Sequence, residues 1–293
     1  LTASQTITIS ARDNLTTAGF IQSGGAVTLQ AGRDLVSDSA ILSQSSITLS
    51  SGRDATNRGN LAASGAIVMA AAGDLVNAGG ALLTGQAMAG SVDMTGASIF
   101  NSADLIVAGD VHLTTTSGST LRNEGMISAR GGVTLDGQGA VVNNGEVVSN
   151  LALALLAGTN LTNTGDLTSG VEIAANAGTN LTNSGRFMAF GTVSMTANGA
   201  LTNTADGLGG INASATDLNL TGGSVFNSGD VVIAGAIDIT STVNHVTNEG
   251  DLTGSGAITL SANDGLMNAG ALNSANQITL ETLGGSFTES TFS

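Results

Sequence analysis

The segment Leu161-Thr162-Asn163-Thr164-Gly165-Asp166-Leu167 returns twenty residues later as Leu181-Thr182-Asn183-Ser184-Gly185-Arg186-Phe187, and its first three residues return again as Leu201-Thr202-Asn203. A fixed period of about twenty residues marks a chain built from stacked copies of one small unit. With the Asn as anchor, the register runs through Thr17, Ser37, Asn57, Asn77, Asn101, Asn123, Asn143, Asn163, Asn183, Asn203, Asn227, Asn248 and Asn268. Large aliphatic residues stand two positions before twelve of these thirteen anchors, Ala55 being the exception. Gly stands two positions after ten of them, with Ser39, Ala103 and Ala205 as departures. Asn and Gly both tolerate turn and left-handed conformations, so this column is expected to form a corner.

A second strand follows ten and twelve residues past most anchors, as in Val27 and Leu29, Val133 and Leu135, or Ile258 and Leu260. These apolar residues alternate with Thr, Ser, Asn or Asp, the period-two pattern of a half-buried strand. A coil of this size cannot bury its own inner face. Stacking coils solves that problem by laying like residues over like. The expected fold class is all-β: a right-handed parallel β-helix, or β-solenoid, of about thirteen coils of roughly twenty residues, a stack on the order of 60 Å at the usual strand spacing. The Asn column then becomes a structural ladder whose side-chain amides satisfy one another in the interior.

The expected organisation is a single β-helix repeat segment over 1–293, excised from a longer fibre, since Thr6 to Ser10 already read as a strand. Two coils of 24 residues, 77–101 and 203–227, are enlarged. The block 98–143 resembles 224–268 at an offset of six coils, which points to duplication of a six-coil unit. If the segment has a partner surface, it is expected where the repeat is interrupted, at Leu82, Leu83 and Met88 in one enlarged coil and Leu208 and Ile211 in the other. The competing expectation is that these residues fold back onto the core.

Composition narrows the function. Seven Arg, no Lys and 22 Asp plus Glu give a formal charge of −15. There is no basic stripe and no aromatic platform for nucleic acid, and an anionic membrane surface would repel the chain. No apolar run is long enough to insert in a membrane as a helix. Without Cys there are no disulfides or thiolate sites, and neither a cofactor nor a metal is implied by any motif. His112 and His245 do not occupy equivalent positions, so they form no repeated site. An acidic column three residues past the anchor (Asp104, Glu146, Asp166, Asp206, Asp230, Asp251) is expected on the outside as a solvated face. The Gly32-Arg33-Asp34 and Gly52-Arg53-Asp54 triplets fall in register and belong to the repeat. A polysaccharide-active enzyme would need clustered carboxylates in a walled cleft, which short insertions do not supply. An ice-binding Thr array at Thr162, Thr182 and Thr202 is broken at Phe100, Arg122 and Phe226.

The coil pattern Asp-Leu-x-Asn-x-Gly, as at Gly73 to Gly79, followed by a Ser/Gly turn and Ile-Thr-Leu, as at Ser255 to Ala262, resembles the repeats of filamentous-haemagglutinin-like exoproteins. That resemblance covers essentially the whole chain. It implies a Gram-negative protein exported by two-partner secretion, either an adhesin or a contact-dependent growth inhibition effector. Its expected partners are an outer-membrane transporter, contacted elsewhere in the full protein, and a receptor on a target cell. The role it implies for these repeats is the shaft of a secreted cell-surface fibre projecting a distal adhesin or toxin, with a directly adhesive β-helix surface as the alternative.

Overall fold

The computed structural model describes residues 1–79, 90–204 and 217–289. Among these residues there is no helix: the chain is all-β, with parallel strands stacked in about thirteen coils as a β-solenoid. It divides into two compact units, Leu1–Asn150 and Leu151–Ser293. Leu82, Leu83, Met88, Leu208 and Ile211 lie outside the described residues.

In the first unit a fully described coil contributes a five-residue strand, a strand ending on the anchor, and a short third strand. The five-residue strands include Ile7–Ala11, Val27–Ala31, Ile47–Ser51 and Ile67–Ala71, each pairing in parallel with the next. Register is strict: Ile7 lies over Val27, Val27 over Ile47 and Ile47 over Ile67. Val92, Val111 and Val133 continue that column. The inward positions are apolar and the outward ones are mostly Thr, Ser or Asp, so the pleat alone sorts side chains into core and surface. Val27, Leu29, Ile47 and Leu49 are fully buried.

The second unit repeats the plan. Its five-residue strands run from Leu153–Ala157 through Ile173–Ala177 and Val193–Ala197 to Leu218–Gly222, again in parallel register. The Asn strands Leu161–Asn163, Leu181–Asn183 and Ala200–Asn203 lay Leu161, Leu181 and Leu201 in one buried file. Full burial of a Leu is worth about 1.5–3 kcal/mol, and each coil supplies several such residues that only its neighbours cover. Stability therefore resides between coils rather than within them.

Both enlarged coils keep the register of their neighbours. Asn77 pairs with Asn101 and Asn203 with Asn227, 24 residues apart, while the five-residue strands on either side pair as in ordinary coils.

The glycine column is explained by crowding more than by backbone conformation. Among the described glycines only Gly19 (φ 92°) and Gly285 (φ 68°) have positive φ. At Gly185, by contrast, a Cβ would lie 2.1 Å from the Gly165 carbonyl oxygen of the preceding coil. Glycine stands at that corner because one coil's backbone passes directly against the next.

Candidate functional site

In each unit the interior corner after the Asn strand carries a file of buried side-chain amides. In the first unit Asn57 Nδ2 donates to Asn77 Oδ1 at 2.9 Å, Asn77 to Asn101 at 2.8 Å, Asn101 to Asn123 at 2.8 Å and Asn123 to Asn143 at 2.9 Å. In the second, Asn163 donates to Asn183, Asn183 to Asn203, Asn203 to Asn227, Asn227 to Asn248 and Asn248 to Asn268, all at 2.7–2.9 Å. The second N–H of most of these amides donates to the carbonyl two residues on in the same coil, as from Asn183 to Gly185. These Asn residues are at most 2% exposed. Each amide thus closes its own corner and links it to the next, which meets the requirement that buried polar groups be paired. The corner backbone carries the same ladder onward: Ser184 N–H donates to Asn163 O at 2.9 Å and Thr204 N–H to Asn183 O at 3.0 Å.

Three further columns have a role that residue type alone does not announce. At the residue preceding a strand, an Asp or Asn Oδ1 accepts the backbone N–H of the equivalent residue one coil later. Before the Asn strand, Asn14 accepts from Asp34, Asp54 from Asp74, Asn160 from Asn180 and Asn180 from Ala200. Before the third strand, Asp104 accepts from Met126, Asp166 from Arg186, Asp230 from Asp251 and Asp251 from Ala271. Before the five-residue strand, Asp110 accepts from Gly132 and Asp217 from Ala236. The acidic column is therefore more than a solvated face: its carboxylates cap amides at the corner, where strand pairing is interrupted. Recurrence of Asp and Asn at one position, as in Asn14, Asp34, Asp54, Asp74 and Asn160, was the available signal, because those two residues share the accepting oxygen.

A buried Ser column completes the framework at the end of the third strand. Ser43 Oγ donates to Gly25 O at 2.8 Å and Ser149 Oγ to Gly131 O at 2.8 Å; Ser169 Oγ donates to Leu151 O at 2.6 Å. The Val171 N–H in turn donates to Ser169 Oγ. Because Ala63, Val107, Ala129, Ala189 and Ile233 stand at the same position, the Ser residues do not stand out as a column in the sequence.

Charged contacts are peripheral. Arg53 pairs with Asp34 of the preceding coil, Arg58 with Asp38 at 3.3 Å, Arg122 with Glu124 within its own coil, and Arg186 with Asp166. These groups are partly exposed and screened by solvent, so the pairs add little to stability. The Arg53 hydrogen bond holds the Asp34 carboxyl below the usual carboxylate range, and Arg186 does the same to Asp166. His112 Nδ1 lies 3.1 Å from Asp93 Oδ1 on the neighbouring coil, and His245 lines an open groove with Thr247, Met267 and Thr288. Among the described residues no group of three or more His, Cys, Asp or Glu converges to hold a metal ion. No described helix is long and apolar enough to cross a membrane.

A family model described as haemagglutinin repeat matches residues 1–79 and 191–282, together more than half of the sequence. No curated protein and no solved structure matches the chain. The matched stretches contain the same Asn strands, glycine corners and Asx caps that the coils between them repeat. The chain belongs to the haemagglutinin repeat family.

Proposed function

We propose that this chain is a length of structural shaft in a secreted cell-surface fibre, which projects a distal adhesin or toxin towards a target cell. The observation that carries this reading is the open-ended bonding pattern. Within each unit the Asn amides, Asx caps and Ser hydroxyls of a coil find partners in the adjacent coil, so coils can be added without new chemistry. Haemagglutinin repeat membership supports placement on the outside of a cell. Export of the full protein by two-partner secretion in a Gram-negative bacterium, and service in either adhesion or contact-dependent growth inhibition, belong to the same proposal.

A second reading, direct adhesion by the coil surface, is favoured by one observation. Leu151, Val171 and Phe190 stand on successive coils at the corner before the five-residue strand, and they are 52%, 46% and 68% exposed. Binding of the purified segment to host cells and to bacteria separates the two. A passive shaft gives no saturable binding. Saturable binding that disappears in a Val171→Thr, Phe190→Ser double variant, with folding unchanged, replaces the shaft reading by the adhesive one.

A further inference from the structure

The Asn ladder has a lower end, and the structure there is unlike the rest of the column. Before Asn57 the anchor position is occupied by Thr17 and Ser37, and Thr17 Oγ1 donates to Ser37 Oγ at 3.4 Å. Asn57 is 1% exposed and Ser39 is fully buried, yet Asn57 Oδ1 and Ser39 Oγ have no hydrogen-bond partner among the described residues. Higher in the column the equivalent oxygens are served: Asn77 Oδ1 receives Asn57 Nδ2 and Asn101 Oδ1 receives Asn77 Nδ2. A buried acceptor left without a donor loses its hydration with nothing in exchange, so a native interior is expected to supply a donor.

The missing donor has a definite shape. Along the ladder the amide nitrogen has two hydrogens with two tasks, one on the next coil's Oδ1 and one on the carbonyl two residues ahead, as Asn57 does with Asn77 and Gly59. Ser37 ends before that nitrogen would begin, and the difference between the two side chains is close to the volume of one water, roughly 30 Å³. We propose that one enclosed water molecule binds here as a stand-in for the absent amide. Its hydrogens donate to Asn57 Oδ1 and to the Ser39 carbonyl. Its oxygen accepts the Ser37 hydroxyl, which is free to donate upward because it accepts from Thr17 below.

Ser39 belongs to the same place. It occupies the column that usually holds glycine, where a side chain leans towards the preceding anchor: a Cβ on Gly145 would come within 2.9 Å of Asn123 Nδ2. At the level Ser39 leans towards, the preceding anchor is Thr17 rather than an Asn. Such a water has the two to four polar contacts that buried waters need. The hydroxyl, amide and carbonyl oxygens around it carry no formal charge, which suits water over a cation that prefers carboxylates.

Ser37→Asn tests the assignment by supplying the amide. Oxygen-17 magnetic relaxation dispersion on the wild-type and variant chains is expected to count one fewer long-lived water in Ser37→Asn, and a crystal structure that resolves ordered solvent should show that water beside Asn57 Oδ1 in the wild type only. Equal counts of long-lived water in the wild type and Ser37→Asn overturn the proposal. Should Ser37→Asn fail to fold, the wild-type crystal structure decides alone: ordered water at that position upholds the proposal, and no ordered water there overturns it.

Discussion

Replacing Asn183 by Ala removes three buried hydrogen bonds at once. Asn183 donates to Gly185 O and to Asn203 Oδ1, both at 2.9 Å, and accepts from Asn163 Nδ2 at 2.9 Å. After the change three groups lose a partner inside a corner that is closed to solvent: the acceptors Gly185 O and Asn203 Oδ1 lose this donor, and Asn163 Nδ2 loses its Asn183 acceptor. At about 1–3 kcal/mol for each orphaned group, and with some relief from the rotamer freedom that a buried Asn gives up, the net loss is about 3–5 kcal/mol. Thr182, one residue earlier on the outward face, is exposed, and its replacement by Ala should cost under about 0.5 kcal/mol. Chemical denaturation followed by circular dichroism gives the global comparison. Because stacked coils can open piecemeal, native-state hydrogen exchange at the Ser184 and Thr204 amides, which bond to Asn163 O and Asn183 O, reports the local loss. Equal effects of the Asn183 and Thr182 substitutions on both readouts would falsify the ladder as a source of stability.

Gly185→Ala forces a Cβ against the Gly165 backbone and should destabilise by about 1–3 kcal/mol or more, since backbone has to move; a thermal midpoint unchanged within error would show that the coils can separate freely there. Leu161→Asp buries an unpaired charge under Leu181 and is expected to prevent folding of the surrounding coils, whereas Asp166→Asn keeps an oxygen for the Arg186 N–H and should change the midpoint little. Comparable losses from those two changes, measured side by side in urea, contradict the assignment of inner and outer columns. The pH response has a fixed sign. Asp34 and Asp166 have carboxyls held below the usual range by Arg53 and Arg186, so they contribute stability that is present above the unfolded-state pKa and lost as pH falls through the lowered folded-state values. Carboxyl NMR titration should place both groups below the usual carboxylate range, and Asp34→Asn should flatten part of the acid limb of the stability curve; an unchanged limb in that variant argues that the Arg53 pair is not maintained in solution.

The solenoid was legible because its main constraint is repetition. A residue such as Leu181 is buried only if Leu161 and Leu201 lie over and under it, so the requirement is written three times at a spacing of twenty. Glycine at position 185 was legible as a corner, but its cause was not: nothing in one coil's sequence shows how closely the carbonyl of another approaches. The Asx caps were half legible. Their residue types repeat at strand entrances, yet the donor is a backbone amide one coil away, a group that every residue except Pro carries and that sequence cannot single out. The Ser column at positions 43, 149 and 169 was hidden by Ala63, Val107, Ala129, Ala189 and Ile233, which fill the same inward position without the hydrogen bond.

The Asx caps also separate two properties that most surfaces tie together. At Asn160 or Asp54 the cap needs only one oxygen at the right height, and carboxylate and carboxamide supply it equally well. A change from one to the other therefore alters the electrical field around a coil by a full unit while leaving its hydrogen bond to the next coil in place. Lineages of such repeats are free to drift from acidic to neutral, matching the salinity, acidity or opposing surface they meet, and the scaffold underneath does not have to be rebuilt each time.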